Sequence, residues 1–472
     1  MKNDLYTDEI TNELAISEAP DYPETDELVS LIDSGDFRAF RTAIESVPAV
    51  DVAGIMSELP ERIMAKFFRL LPKEVAAVAF VEIDREAQEH LIGSLTDSEL
   101  SSFLDELYLD DTVDIIEEMP ANVVKRILRA SSPEDRVAIN TLLRYPKDSA
   151  GSIMTTEYVR FTPEMTVDAA LSHIRRVAID KETIYTCYVT DKKRRLVGIV
   201  TAKELLISSL DTPLSEIMRE HVISVGTGDD KETVAHKLDK YGFLALPVVD
   251  AEERLVGIVT LDDALTVIKD AAEEDFAKMA AVTPSEEPYV KASAFSLFRA
   301  RIPWLLLLMI SATLSSMILN RFEAILPAVL VLFVPMLMDT GGNSGSQTSV
   351  TVIRAISLDE LPLSRLPLVL WKELRVGLSS GLVLAAVAFG KVLLVDRLIM
   401  QNPAVSLSVA FAVSISLAAT VVMAKLIGAA LPMLAKRIGF DPAVMASPLI
   451  TTLVDAISLV LYFFIASSIL NI

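Results

Sequence analysis

The chain has 472 residues, of which 51% are hydrophobic and 23% are charged, and its mean hydropathy is +0.43. Such a chain is too apolar for an ordinary soluble protein and too charged to lie wholly in a membrane. Residues 1–295 carry 31 basic and 57 acidic side chains, a net charge of −26, whereas residues 296–472 carry 12 and 8, a net charge of +4. The sequence therefore predicts an acidic soluble part followed by a membrane part. It argues against nucleic acid as a partner, because phosphate binding needs basic patches.

Residues of the common catalytic and metal-binding motifs are scarce in this chain. The single cysteine, Cys187, excludes an internal disulfide and a cysteine zinc cluster. The four histidines have no paired spacing, and neither a Gly-Lys-Ser/Thr phosphate loop nor a His-Glu-x-x-His string occurs, so we do not expect an enzyme. Residues 1–27 are acidic and lack the apolar core of a signal peptide, and we expect them to be a disordered N-terminal segment.

A twelve-residue period runs through the segment that we predict to be a helical solenoid, residues 28–147. Pro48, Pro60, Pro72 and Pro120 fall on this count, and an apolar residue precedes each of them. Proline suits the beginning of a helix, where its missing N–H is not needed. One short helix in each unit, stacked on the next, gives an α-helical solenoid, which indicates architecture but no chemistry.

Two later segments repeat each other at an offset of 59 residues. Residues 196–206 and 255–265 are identical at seven of eleven positions, and each follows an Ile-Met pair, an amphipathic helix and a β run. Each copy therefore reads β–α–β–β–α, and the two together resemble a tandem pair of CBS domains, an α/β regulatory module. The resemblance places the first CBS domain at residues 148–210 and the second at residues 211–268.

The same resemblance implies a nucleotide site. In CBS domains a threonine and an acidic residue after the third strand often hold the ribose and phosphate of a nucleotide, and ATP is the candidate here. These positions are Thr201 and Glu204 in the first copy, and Thr260 and Asp263 in the second. A second interpretation is also open, in which each threonine only caps the helix that follows it.

Acidic residues cluster at two further places. Asp110 and Asp114 lie four residues apart in the solenoid, hence on one face of a helix. Residues 269–294 are predicted to form a connecting helix, and its acidic residues include Glu274 and Asp275. Like charges at this density repel each other. These acids are therefore either a solvated surface or, because Mg²⁺ and Ca²⁺ prefer oxygen ligands, part of a divalent cation site.

Residues 295–472 contain five apolar runs, and we predict a transmembrane domain of five helices. The runs are 302–319, 324–338, 376–395, 405–434 and 443–470. A bilayer core of ~30 Å needs about 20 helical residues, so the short second run must continue through the polar residues 339–350. Basic residues are concentrated before the first run and in every second loop between the runs. This pattern predicts a cytoplasmic N-terminus and an extracytoplasmic C-terminus in the cytoplasmic membrane. Lys391 and Lys425 are expected near span ends, with their side chains reaching the membrane surface.

Polar residues inside these spans are costly and therefore point to function. Asp455 lies near the middle of the last run, and Thr451 and Thr452 share its helix face. A single carboxylate at that depth stays ionised only beside a cation or water, so we favour a pore-lining cation site over a protonated or interhelix-bonded aspartate. Asp339 and Asn343 share a face of the second span, and for them pore lining and packing are both open. The glycines of the same segment favour close helix packing.

The domain order and two membrane motifs are similar to those of the MgtE family of magnesium channels. The motifs are Gly-Gly-Asn-Ser-Gly-Ser-Gln at 341–347 and Ser-Pro-Leu-Ile-Thr-Thr-Leu-Val-Asp at 447–455. The resemblance covers essentially the whole chain and implies a homodimer in the lipid bilayer, with Asp455 binding a largely hydrated Mg²⁺ on the dimer axis. It also implies that Mg²⁺ bound between the solenoid, the CBS pair and the connecting helix, which plugs the pore, locks a closed state. The acids that match these regulatory positions are Asp110, Asp114, Asp263, Glu274 and Asp275.

The resemblance thus implies a Mg²⁺-selective channel that takes up Mg²⁺ across the cytoplasmic membrane and closes when intracellular Mg²⁺ binds. Two other interpretations stay open. An ion-coupled carrier of Mg²⁺ or Co²⁺ would use the same Asp455. A membrane-anchored nucleotide sensor would use the CBS pair and would have no need of Asp455 or of the polar segment 339–347.

Overall fold

The computed structural model describes residues 22–285, 289–290, 292–323, 327–358, 360–445 and 447–471. The chain divides into two compact units, Met1–Ile268 and Lys269–Ile472. Most of the segment predicted to be disordered, residues 1–21, lies outside the described residues, and the first described helix begins at Thr25. The predicted fold class, a helical N-terminal domain, an α/β CBS pair and a set of apolar helices, is confirmed.

Ten short helices make up the solenoid within the described residues. They are α1 (Thr25–Ser34), α2 (Phe37–Glu45), α3 (Ala49–Glu58), α4 (Glu61–Leu70), α5 (Lys73–Glu82), α6 (Arg85–Ser94), α7 (Asp97–Leu104), α8 (Leu109–Glu118), α9 (Ala121–Ala130) and α10 (Pro133–Leu142). Pro48, Pro60, Pro72 and Pro120 stand immediately before α3, α4, α5 and α9, as the twelve-residue period predicts. The apolar residue before each proline is buried, so each of these repeats contributes to the core.

The solenoid core is built on aromatic side chains and continues into the second CBS domain. The rings of Phe80 and Phe103 meet edge to face with centroids 4.8 Å apart, and Phe68 lies 5.2 Å from Phe103. The same buried cluster includes Met154 and Val234, which belong to the CBS pair. In the first unit, called the soluble unit below, an apolar core therefore runs from α1 to the second CBS domain, and the first CBS domain packs around a separate core.

Each CBS domain is a three-stranded sheet with flanking helices. The first contains β1 (Tyr158–Phe161), α11 (Val167–Val177), β2 (Thr183–Thr190), β3 (Leu196–Thr201) and α12 (Ala202–Ile207). The second contains α13 (Leu214–Ile217), β4 (Val225–Gly226), α14 (Lys231–Tyr241), β5 (Ala245–Val249), β6 (Leu255–Thr260) and the start of α15 (Leu261–Met279). In both sheets the first strand pairs parallel to the second and the second antiparallel to the third, which agrees with the predicted β–α–β–β–α order.

The two CBS domains interlock through the segment that opens each copy. Thr155, from the opening of the first copy, exchanges backbone hydrogen bonds of 2.8 and 2.9 Å with Ile258 in the second. A Cβ atom on Gly257 would lie 2.6 Å from Sδ of Met154, so this close approach requires glycine. The equivalent residues of the other copy make the same contacts. The repeated Gly and Ile-Met positions are therefore explained by packing.

The second unit contains the end of α15 and six further helices in its described residues. They are α16 (Ala294–Glu323), α17 (Ala328–Val331), α18 (Val334–Ser357), α19 (Leu366–Lys391), α20 (Leu407–Arg437) and α21 (Ser447–Leu470). A π-helix, Val392–Ile399, continues α19. By length and composition, four stretches of the described residues could cross a membrane: Ala294–Phe322, Leu363–Ile399, Leu407–Arg437 and Pro442–Leu470.

The predicted second span forms differently from the expectation. Helix α17 ends at Val331, a turn follows, and α18 begins only at Val334 and runs to Ser357. Pro335 in the first turn of α18 suits a helix start. The helix has 24 residues, enough for a bilayer core, but its glycines and polar side chains make it less apolar than the other four. The five-span topology and the orientation of the termini remain predictions.

Candidate cation sites

One face of α18 packs against α21 through glycine. A Cβ atom on Gly342 would lie 2.8 Å from Cγ2 of Thr451, and one on Gly345 would lie 3.0 Å from Cγ2 of Ile450. A larger residue at these positions would force the helices apart. The interpretation of these glycines as packing residues is therefore confirmed.

The other face of α18 is polar and exposed. Asp339, Asn343 and Gln347 are exposed in the described chain, whereas Gly341 and Gly345 are buried. Carboxylate and amide groups are costly in contact with hydrocarbon, so such a face fits a water-filled path or a second protein surface. This arrangement favours pore lining over packing within the chain for Asp339 and Asn343.

Asp455 lies on α21 and is half-buried. Its Oδ1 is buried and has no hydrogen-bond partner among the described residues. Thr452 Oγ1 donates a hydrogen bond of 3.0 Å to the Pro448 carbonyl, and Thr451 Oγ1 lies 3.3 Å from Ser346 Oγ on α18. The hydroxyl oxygen of Thr452 therefore keeps its capacity to accept a hydrogen bond.

A cavity of about 630 Å³ lies between α18, α19 and α20. Asp339, Asn343 and Gln347 line it, whereas Asp455 is not among the lining residues. Lys425 also lines this cavity and is only 7% exposed, so the expectation that it reaches the membrane surface is wrong. It lies well inside α20, far from either end of that helix.

A cluster of carboxylates lies in the soluble unit where α8 meets the CBS pair. Asp110, Asp111 and Asp114 on α8 lie within electrostatic reach of Asp263 in the first turn of α15. Glu182, just before β2, joins them. The buried Oδ1 of Asp110 and Oε2 of Glu182 have no hydrogen-bond partner in the described chain, and atoms of this kind fit a cation or its water ligands.

Desolvation and mutual repulsion oppose ionisation of this cluster. Burial, followed by the charge of Asp263, raises the pKa of Asp110 well above its usual range and that of Asp111 to about 6. The same two causes raise the pKa of Asp114 to about 7, although part of its side chain remains exposed. Burial and the neighbouring aspartates raise the pKa of Glu182 to about 8. A bound cation would favour the ionised form of each group.

The sequence brought Asp110, Asp114 and Asp263 forward, and the structure brings these three together. It missed Glu182, which comes from a different domain and has no local motif that marks it. Among the described residues, no three His, Cys, Asp or Glu side chains are close enough to hold one ion directly.

Glu274 and Asp275 lie on the part of α15 that belongs to the second unit, and both have protein partners there. Lys278 Nζ lies 2.6 Å from Glu274 Oε1 and 2.5 Å from Asp441 Oδ2, in the segment before α21. Ser357 Oγ donates a hydrogen bond of 2.8 Å to Asp275 Oδ2. Burial raises the pKa of Asp275. The end of α15 is thus held to the rest of the second unit, called the membrane unit below, by an ion pair and a hydrogen bond.

The candidate nucleotide residues form a helix cap. Thr201 Oγ1 accepts a hydrogen bond of 3.2 Å from the Glu204 N–H, and Glu204 Oε2 accepts one of 2.7 Å from the Thr201 N–H. Arg219 Nε donates 2.8 Å to the other oxygen of Glu204. In the second copy the hydroxyl of Thr260 donates to Asp263. The cap interpretation therefore describes the first site, whereas in the second only the contact of Thr260 with Asp263 is present, and nucleotide binding stays a prediction at both.

Comparisons with known proteins follow the same division of the chain. A family model described as MgtE, divalent cation transporter, matches residues 334–465. The model of the MgtE intracellular N domain matches residues 47–148, and the CBS domain model matches residues 150–211 and 214–270. The order of these matches is the order predicted from the sequence.

Similar proteins align over nearly their whole length. The magnesium transporter MgtE of Thermus thermophilus is 38% identical over 450 residues, 94% of this chain and 98% of the relative. The magnesium transporter MgtE of Bacillus subtilis is 31% identical over 450 residues, 94% of this chain and 97% of the relative. A crystal structure of the soluble part of a magnesium transporter is 32% identical with a TM-score of 0.50, and the match covers 53% of this chain and 100% of that structure.

Proposed function

The chain belongs to the MgtE family of divalent cation transporters, and we propose that it is a Mg²⁺-selective channel for Mg²⁺ uptake across the cytoplasmic membrane. Both curated relatives are named magnesium transporters, which supports Mg²⁺ as the substrate. In this proposal the channel is a homodimer that intracellular Mg²⁺ closes. The membrane unit supplies the ion path, and the soluble unit supplies the sensor.

The observation that carries this proposal is the buried oxygen of Asp455. A carboxylate oxygen without a partner is costly inside a membrane span. Mg²⁺ gives up its water molecules reluctantly, and those molecules donate hydrogen bonds. A hydrated Mg²⁺ beside Asp455 would therefore satisfy the carboxylate, and the hydroxyl oxygen of Thr452 on the same helix face would accept from a second water.

The exposed face of α18 supports the homodimer. Asp339, Asn343 and Gln347 need separation from hydrocarbon, and a second copy that meets this face across a two-fold axis would enclose a water-filled path. The same axis would place two copies of Asp455 in one pore. Two separated carboxylates suit recognition of the hydrated ion better than a dehydrated cage.

The carboxylate cluster supports closure by intracellular Mg²⁺. Asp110, Asp114 and Asp263 repel one another when ionised, and cations among them remove that repulsion. The compact soluble unit therefore binds Mg²⁺ better than a looser one, and Mg²⁺ stabilises it by linkage. Glu274 and Asp275 have protein partners, so we place the principal sensing site at the solenoid cluster.

Mg²⁺ flux into proteoliposomes tests the path. Asp455→Asn removes one charge in each subunit without changing side-chain size, and we expect flux to fall about tenfold or more because a buried charge acts strongly on a divalent ion. Glu360→Gln, in an exposed loop, is the matched control and should keep the flux of the natural chain. Equal flux in Asp455→Asn and the natural chain would move the ion site elsewhere, with Asp339 as the next candidate.

Electrical recording separates a channel from an ion-coupled carrier. A channel passes ions faster than any cycle of conformational change, so Mg²⁺ currents should be resolved in single-protein recordings. Flux that stops when a proton or Na⁺ gradient is removed would replace the channel by the carrier. Absence of flux from every variant, including one that lacks residues 1–129, would favour the membrane-anchored nucleotide sensor.

A further inference from the structure

Lys425 is a charged side chain deep in the membrane unit that the proposed path does not yet use. It lies on α20, more than ten residues from either end, and it is 7% exposed. Its Nζ donates to Thr348 Oγ1 on α18 at 3.5 Å, and Thr348 Oγ1 donates to Glu373 Oε2 on α19 at 3.1 Å. Charged residues inside spans are costly and are retained where they act on an ion path.

These hydrogen bonds run in one direction, from the ammonium of Lys425 through Thr348 to the carboxylate of Glu373. An ammonium donates to a hydroxyl, and that hydroxyl donates to a carboxylate, so a positive and a negative charge are joined through Thr348. Thr348 is 4% exposed, and Glu373 is half-buried. The opposite charges of Lys425 and Glu373, joined through Thr348 across three helices, offset part of the free-energy cost of burying them.

The ammonium also faces the cavity described above. Lys425 and Asp339 line the same space of about 630 Å³, together with Asn343 and Gln347 from the exposed face of α18. A mobile cation that reaches Asp339 therefore experiences the positive charge of Lys425 as well. Amide and hydroxyl groups, including that of Ser380 on α19, line this space beside the apolar Val383 and Leu384.

We propose that Lys425 is a fixed cation that sets how tightly the ion path holds Mg²⁺, an inference that rests on the proposed channel function. Carboxylates in a low-dielectric path attract a divalent ion strongly, and conduction requires that the ion also leave. The ammonium weakens the attraction of the path for Mg²⁺, and Glu373 limits how far it does so. Lys425 is thus a determinant of affinity and release rather than a ligand.

The test compares flux in proteoliposomes as a function of Mg²⁺ concentration for the natural chain and three variants. Lys425→Met should lower the half-saturating Mg²⁺ concentration about threefold to tenfold and lower the maximal flux, the effect of a unit charge on a divalent ion across roughly 10 Å of wet cavity. Lys425→Arg, which keeps the charge, should stay within about twofold of the natural chain. Glu373→Gln should raise the half-saturating concentration, because it leaves Lys425 uncompensated.

Lys391→Met is the matched control. Lys391 lies at the end of α19, its side chain is 44% exposed, and it pairs with Asp396 at 2.9 Å. Its removal should leave the half-saturating concentration unchanged. A structural defect would lower flux without lowering that concentration, and opposite shifts for Lys425→Met and Glu373→Gln cannot arise from a loss of packing.

Three results overturn the inference. The first is a half-saturating concentration in Lys425→Met that is unchanged or raised, in protein that elutes as the natural chain does. The second is a half-saturating Mg²⁺ concentration that is unchanged in Glu373→Gln, and this result decides the test if Lys425→Met aggregates. The third is absence of flux from the natural chain, which removes the proposed channel as well. Normal flux with unchanged affinity removes only the role of Lys425.

Discussion

The soluble unit and the membrane unit use carboxylates in opposite ways. The soluble unit gathers four of them around Asp263, where burial and repulsion raise the pKa values of all five. The membrane unit keeps Asp339 and Asp455 on separate helices among hydroxyl groups, amides and glycines. A sensor gains from many acids because ion binding must change its conformational free energy. A path gains from few, because an ion held too strongly does not move.

The largest expected effect concerns the packing of the membrane unit. Helices α18 and α20 meet so closely that a Cβ atom on Gly428 would contact the carbonyl oxygen of Gly345. Gly428→Ala should therefore lower the free energy of unfolding of the membrane unit by about 1–3 kcal/mol. The two tryptophans, Trp304 and Trp371, lie in this unit, so thermal unfolding followed by tryptophan fluorescence in detergent reports on it alone.

Gly390→Ala is the control for that substitution. Gly390 lies near the end of α19 with open space around its Cα, and alanine there should be neutral or stabilise the helix by about 0.5–1 kcal/mol. Equal thermal shifts for Gly428→Ala and Gly390→Ala would show that backbone contact between α18 and α20 is not needed.

An intermediate effect is the pH dependence of the soluble unit. The folded pKa values of Asp114 and Glu182, about 7 and about 8, lie above their ordinary values near 4. Because the folded state holds these protons more tightly than the unfolded state does, stability is lost as the pH rises from about 4 to about 8. Without Mg²⁺, proteolysis of the soluble unit in the full chain should therefore be several times faster at pH 8 than at pH 6.

Mg²⁺ should remove most of that difference, because bound cations replace the protons. Asp114→Asn should weaken both the pH dependence and the protection by Mg²⁺, whereas Asp105→Asn, an exposed acid at the end of α7, should change neither. Comparison at each pH cancels the pH dependence of the protease itself. Equal cleavage with and without Mg²⁺ at pH 8 would contradict a sensing role for this cluster.

The smallest expected effect separates a helix cap from a nucleotide site. Thr201→Ala removes the hydroxyl that accepts from the Glu204 N–H, and the cost of a lost cap is about 1 kcal/mol. Thermal unfolding of the full chain measures it. If ATP binds at this position, the shift in unfolding temperature that ATP gives the natural chain should be absent from Thr201→Ala. An equal shift in both proteins would leave Thr201 as a cap.

Features with a local physical cause were predictable from the sequence. Prolines every twelve residues fix where solenoid helices begin, and the repeated Gly257 is required where Met154 crosses the neighbouring strand. Features that depend on distant contacts were not. No residue near Glu182 in the sequence shows that it joins the acids of α8. The turn before Val334 could not be predicted, because its residues are as apolar as those of the helices on either side. Lys425 stands inside the apolar run 405–434, and the sequence does not show that neighbouring helices cover it.

The glycine contacts of α18 have a mechanical consequence. Gly341, Gly342 and Gly345 meet side chains of α21, whereas Gly345 meets Gly428 on α20 backbone to backbone, with no flexible side chain between the two helices. Such joints have little compliance, since the main chain cannot yield as a side chain does when it changes rotamer. We therefore expect α18, which carries Asp339 and Asn343, to move together with α20 as one rigid body. A pore lined by α18 would change its width by displacement of these helices together, not by bending of one helix within a subunit.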